Sequence, residues 1–102
     1  MTHLEELRDM IRREHGVEPT FVESVPVKEV LQGTTAWEGV VEVFDLIGHP
    51  TAVRVYAWSH ETGDPANPKR HIAVLHSPPI RSAEDAVKAV ILQEFRNREP
   101  AA

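Results

Sequence analysis

The stretch WEGVVEVFDLIGHPTAVRVYAWS, Trp37–Ser59, decides the fold. Two segments, Ala36–Leu46, which begins one residue before this stretch, and Thr51–Ser59 within it, are rich in valine and aromatic residues that alternate with polar ones, which predicts two β-strands. Ile47–Pro50 between them contains a glycine and a proline, and it predicts a tight hairpin turn. The stretch therefore predicts a pair of antiparallel strands.

Two further strands extend this pair. Phe21–Leu31 alternates in the same way, and Pro26 within it lacks a ladder donor, which places this strand at an edge of the sheet. An alternative interpretation makes Ser24–Gln32 a short helix that ends at Gly33. The last predicted strand, Arg70–His76, follows a long loop rich in proline and glycine.

Helices are predicted at both ends of the chain. Thr2 and Glu5 form a capping box before a helix that runs to His15, and Gly16 provides the stop. A second helix begins after Ser82, its predicted N-cap, and carries a broad apolar stripe.

These elements predict one α+β domain over residues 1–102. We expect two layers, with an antiparallel meander sheet of three to four strands flanked by the N- and C-terminal helices, both on one face. The expected parts are a helix at 2–15, the sheet at 20–77, a helix at 82–97 and a disordered tail at 98–102.

The predicted turn also assigns the faces of the sheet. It places Arg54 opposite Glu42 and Trp58 opposite Glu38, with Trp37 on the buried face. The other face then carries aromatic residues and arginine, which are enriched at interaction hot spots. The predicted interaction surface consists of Val40, Phe44, Arg54, Tyr56 and Trp58. The alternative is an ordinary solvated face with cross-strand pairs.

Composition excludes several classes of protein. The chain has no cysteine, so it contains no disulfide or thiolate zinc site, and we expect a cytoplasmic protein. The charged first residues contain no apolar h-region, so we expect no secretory signal, and no run approaches the length of a membrane helix. A net charge of −5, from 11 basic and 16 acidic residues, argues against a non-specific nucleic-acid binder.

The residues Ser59, His60 and Glu61 do not predict a catalytic triad, because neighbours on a strand point to opposite faces. We therefore expect a protein that is not an enzyme and has no cofactor. A metal site is a weaker hypothesis, with His60, Asp64 and His71 around the long loop as ligands. The alternative is that these histidines belong to hydrophilic hairpin ends.

Two resemblances add to this interpretation. The order of helix, strands and helix resembles the double-stranded-RNA-binding domain, which implies its fold. That family carries a lysine cluster at the start of its last helix, where this chain has SAEDAVKA with Lys88 alone. The segment Trp37–Ser59 is similar to one in small bacterial proteins of unassigned function, which implies a bacterial source.

Three functional hypotheses follow. The first is a non-enzymatic protein–protein interaction module, with an unidentified protein or a second copy of the chain as partner and association through the sheet. The second is a metal- or small-ligand-binding protein that uses the His60–His71 loop. The third is a nucleic-acid-binding module.

Overall fold

In the part of the chain that the structure describes, one sheet of four antiparallel strands, in the order of the chain, lies between an N-terminal and a C-terminal helix. The computed structural model describes residues 2–50, 52–61, 65–66, 68–78 and 80–98. Its helices and strands are α1 (His3–His15), β1 (Glu18–Leu31), β2 (Thr34–Ile47), β3 (Arg54–Glu61), β4 (Lys69–Leu75) and α2 (Ala83–Arg98). The predicted α+β class, with an antiparallel meander and flanking helices, is confirmed.

Both ends of α1 are defined by the residues that the sequence marks. Thr2 is extended, and its hydroxyl accepts a hydrogen bond from the N–H of Glu5 at 3.2 Å. Gly16 follows the helix with φ 67°, and its N–H donates to the carbonyl oxygen of Arg12. Glycine takes this left-handed conformation without a steric cost, so it stops the helix where predicted.

The first hairpin has a two-residue turn. β1 and β2 pair along nearly their whole lengths, and the alternative of a short helix over Ser24–Gln32 is therefore wrong. Gln32 and Gly33 form the turn with φ of 52° and 78°, the positive values that tight hairpins favour. β1 lies at an edge of the sheet, as Pro26 predicts.

The register between β2 and β3 differs from the predicted one. Arg54 lies opposite Asp45 and not opposite Glu42, because the connection occupies residues 48–53 instead of 47–50. The strands are thus displaced by three residues. An odd displacement turns the side chains of one strand to the other face of the sheet. The predicted Glu42–Arg54 pair is wrong, and Nε of Arg54 lies 3.0 Å from Oδ1 of Asp45.

The two helices cover opposite faces of the sheet, which we call the α1 face and the α2 face. On the α1 face, one buried cluster combines Leu7, Met10, Ile11, Phe44, Leu46, Val55 and Ala57. On the α2 face, the second cluster combines Val27, Val41, Val43, Tyr56, Trp58, Ile72, Ala83, Ala86 and Val87. The expectation of both helices on one face, in two layers, is wrong. Apolar side chains point both ways from β2 and β3, so each face needs a cover.

α2 begins at its predicted cap. The hydroxyl of Ser82 accepts a hydrogen bond from the N–H of Asp85 at 3.1 Å. The helix continues to Arg98. The rest of the predicted tail, residues 99–102, lies outside the described residues.

An exposed ion pair joins the end of α1 to the start of β1. Arg12 donates from Nε and from a terminal nitrogen to the Glu18 carboxylate, at 2.7 Å and 2.6 Å. These hydrogen bonds hold the pKa of Glu18 below its ordinary value. The pair is lost on unfolding. Its contribution to stability is therefore complete above the pKa that Glu18 has in the unfolded state, and it disappears as the pH falls through the pKa that Glu18 has in the folded state.

This expectation is checked by an NMR titration of the Glu18 side-chain carboxyl. We expect Arg12→Ala to raise the pKa of Glu18 toward its ordinary value, because the donors are removed. Arg13→Ala removes the same charge from the next position and should leave the titration unchanged. Identical curves for the wild type and Arg12→Ala would contradict the assignment.

Candidate functional site

The residues of the predicted interaction surface do not share an exposed face. Phe44, Tyr56 and Trp58 keep only 0%, 4% and 2% of their surface exposed, so the expectation that they are accessible is wrong. Val40 is 46% exposed, and Arg54 is partly exposed in its ion pair. The displaced register separates Phe44 from the other two aromatic residues, and the helices on opposite faces then bury Phe44 under α1 and Tyr56 and Trp58 under α2.

A signal for this arrangement is present in the sequence. Val55–Trp58 is a run of four apolar residues. A strand with one solvated face alternates, whereas a continuous apolar run is typical of a strand covered on both faces. The polar end of Tyr56 is accommodated by His76, whose Nδ1 lies 2.6 Å from the phenol oxygen, and burial raises the pKa of this tyrosine.

The predicted metal ligands are separated by the sheet. His60 lies opposite Arg70 and His71 opposite Ser59, and successive positions of a strand alternate between faces. His60 is therefore on the α2 face and His71 on the α1 face, and the expected approach of the two imidazoles is wrong. Asp64 lies outside the described residues. Within the described ranges, no group of three or more histidine, aspartate or glutamate side chains is placed to hold a metal ion.

Ser59 and His71 form a polar cross-strand pair on the α1 face. Oγ of Ser59 lies 2.6 Å from Nδ1 of His71. Nε2 of His71 is 3.7 Å from the Glu6 carboxylate, which is longer than a hydrogen bond. The order of hydroxyl, imidazole and carboxylate matches a nucleophile and its base, but the carboxylate does not hold the ring as that chemistry requires. The pair lies where the first turns of α1 meet β3 and β4.

The sheet splits between β2 and β3. Their pairing covers four residue pairs and ends at Glu42 opposite Ala57. β2 nevertheless continues back to Thr34, paired with β1, and β3 continues to Glu61, paired with β4. In this described part of the sheet, two strand edges therefore flank an open split.

The hydrogen-bond pattern shows which backbone groups point into this split. The N–H of Leu46 donates to the carbonyl oxygen of Val53 at 2.8 Å. In an antiparallel ladder, the residues that exchange backbone hydrogen bonds recur at every second position. Steps of two from Leu46 along β2 and from Val53 along β3 lead to Glu42 and Ala57, the last pair. The next positions of this kind are Val40 and Ser59. These two are not paired with each other. Their N–H and C=O groups therefore point into the split.

The split opens into a cavity of about 540 Å³. Glu38, Val40 and Glu42 of β2 line one side, and Ser59 of β3 and Lys69 of β4 line the other. Sites for small molecules occupy about 300–1,000 Å³, so the cavity is large enough to hold a ligand group. Neither sequence periodicity nor any motif indicates it, because it results from the loss of pairing between two strands.

Trp37 closes the split from the α2 side. Its ring lies 6.0 Å from that of Trp58, centroid to centroid, and the indole also lines the cavity. The ring passes over Gly39, where an added Cβ would lie 2.7 Å from it. Glycine at this position thus allows the indole to lie flat against the strand.

The cavity contains one buried charged residue. Glu42 is 7% exposed, and its carboxylate accepts a hydrogen bond from the Ser24 hydroxyl at 2.5 Å. Neither Glu42 nor Glu38 takes part in an ion pair with any described residue. A buried carboxylate is stabilised by a cation or by several donors, and among the described residues the Ser24 hydroxyl is the donor that this one has.

The two outer edges of the sheet differ in their protection. β1 contains Pro19 and Pro26 and a bulge at Val22, and such features obstruct the addition of another strand. β4 has no proline and pairs with β3 without an irregularity.

The open edge of β4 has identifiable backbone donors. The N–H of His76 donates to the carbonyl oxygen of Arg54 at 2.8 Å. Successive backbone N–H groups of a strand point alternately to its two sides, and that of His76 points toward β3. The N–H groups of His71, Ala73 and Leu75, at odd positions, therefore point away from β3. No backbone hydrogen bond from the rest of the described chain reaches them.

In the described residues no helix combines the length and apolar character needed to cross a membrane. No protein-family model, curated protein or solved structure matches the chain.

Proposed function

We propose that the protein is a non-enzymatic protein–protein interaction module that binds a second copy of itself through the outer edge of β4. The contrast between the obstructed edge of β1 and the open edge of β4 supports this proposal. An unpaired edge is a template for another strand, and strand addition satisfies its backbone groups. The cytoplasmic location expected from the cysteine-free sequence is part of the same proposal.

The proposed dimer is a two-fold pairing of β4 with its copy, centred on Ala73. His71 of each copy then pairs with Leu75 of the other, and Ala73 pairs with Ala73 of the other. These three pairs exchange about six backbone hydrogen bonds. Lys69 and Arg70 then lie opposite Ser77 and His76 of the second copy, so strong positive charges do not face each other. The two sheets join into one of eight strands.

Analytical ultracentrifugation of the wild type and of Ala73→Pro tests the proposal. Proline removes an N–H that points outward and spares the bonds between β3 and β4. We expect a reversible dimer in the wild type and a dissociation constant at least about tenfold higher in Ala73→Pro, because the two central donors are lost and the ring blocks close approach.

The matched control is Ala73→Ser, which keeps the N–H and nearly the same volume. It should dimerise like the wild type, and circular dichroism melts should show that both variants fold. A wild-type protein that stays monomeric at high concentration would refute the proposal. Equal dimerisation of the proline and serine variants would also refute it.

A further inference from the structure

The split between β2 and β3 is a second place where the sheet has unpaired backbone groups, and it is separate from the β4 edge. β2 is unpaired on this side from Thr34 to Val41, a length of about 25 Å at the usual rise of a strand. Val40 and Ser59 point their N–H and C=O groups into it. An extended chain is the ligand whose donors and acceptors match such an edge.

The charges that line the cavity indicate which side chain this extended chain carries. Glu38 and Glu42 lie on either side of Val40 in β2, each two positions from it, and their side chains are on the α1 face. Neither has a cationic partner among the described residues. Burial makes the Glu42 carboxylate a strong acceptor for a cation that enters the cavity. Lys69 on the opposite side repels a cation, and so directs it toward β2.

We infer that the split binds an extended segment of a partner protein, with a lysine or arginine side chain placed between Glu38 and Glu42. The segment pairs with the free edge of β2, and its basic residue points to the α1 face, where the cavity lies. The indole of Trp37 closes the split from the α2 side, where it offers an aromatic surface to the residues of the segment that flank the basic one. This inference does not depend on dimerisation through β4.

The test uses short capped peptides as probes and isothermal titration calorimetry as the measurement. The first probe is acetyl-Thr-Val-Lys-Val-Thr-amide. The second replaces lysine with norleucine, which has a similar alkyl chain and no charge. The third is n-butylammonium chloride, which supplies the cation without a backbone. We expect the lysine peptide to bind at least about tenfold more tightly than either of the others.

Three variants locate the binding site. Glu38→Gln and Glu42→Gln remove a carboxylate and keep the shape, and each should raise the dissociation constant of the lysine peptide several-fold. Glu84→Gln makes the same charge change at the start of α2, outside the cavity, and should leave binding unchanged. Glu38 is exposed, so its variant keeps the test valid even if Glu42→Gln does not fold.

Each contrary result overturns a part of the inference. Absence of binding by the lysine peptide, or equal binding of the norleucine peptide, rules out recognition of a basic side chain. Equal binding of n-butylammonium rules out pairing with a strand edge and indicates a small-amine site instead. An unchanged affinity in Glu38→Gln, or an equal loss in Glu84→Gln, places the site elsewhere.

Discussion

Trp58→Ala is expected to lower the free energy of unfolding by about 3–5 kcal/mol, the usual cost of removing a large buried aromatic side chain. The residue is 2% exposed. Its indole packs in the cluster of the α2 face with Ile72 and Val87 and contacts the ring of Trp37. Alanine would leave a cavity between the sheet and α2 that neighbouring side chains fill only in part.

Urea denaturation followed by circular dichroism measures this loss. Trp37→Ala is the matched control, because Trp37 lies on the same face but is only partly buried, and it should cost less. If Trp58→Ala unfolds the protein completely, Trp58→Phe retains most of the ring volume and should give a smaller, measurable loss. A greater loss from Trp37→Ala would contradict the burial of Trp58 between the sheet and α2.

Phe44→Ala is expected to cost about 3–5 kcal/mol as well, for a reason on the other side of the sheet. Phe44 is fully buried in the cluster of the α1 face, beside Leu7 and Ile11. Its ring also meets that of Phe21 edge to face, with 5.9 Å between centroids. The loss of this ring leaves a cavity in the cluster that joins α1 to the sheet.

Two measurements distinguish this prediction from general destabilisation. Hydrogen exchange should show faster opening of α1 than of α2 in Phe44→Ala, because the cavity lies under α1. Ile47→Ala, in the same strand but at a position 75% exposed, should change stability by less than about 0.5 kcal/mol. Faster exchange in α2 than in α1 would contradict the placement of the helices on opposite faces.

Local features of the chain could be predicted from sequence because each depends on a few neighbouring residues. Thr2 and Gly16 define α1, Ser82 begins α2, and Gln32 with Gly33 forms the first turn. Caps and tight turns follow from hydrogen bonds and dihedral preferences within four residues, so no tertiary contact is needed to set them. The period of two likewise identifies the strands without saying which face is buried.

The pairing of β2 with β3 could not be predicted in the same way, because it depends on the length of the connection. Gly48 and Pro50 indicate a short turn, yet the connection occupies residues 48–53, and the odd displacement exchanges the faces of one strand. This difference puts Phe44 on one face and Tyr56 and Trp58 on the other, and α1 and α2 bury them from opposite sides.

The sequence by itself determined the type and order of the helices and strands, and the apolar run Val55–Trp58 already contained the signal for a sheet covered on both faces. Only the tertiary structure decided which side chains each helix covers and where β2 and β3 separate. The physical reason is that a strand offers the same backbone groups in every register. Packing against α1 and α2 selects one register, and the pairing in that register ends beside Glu42.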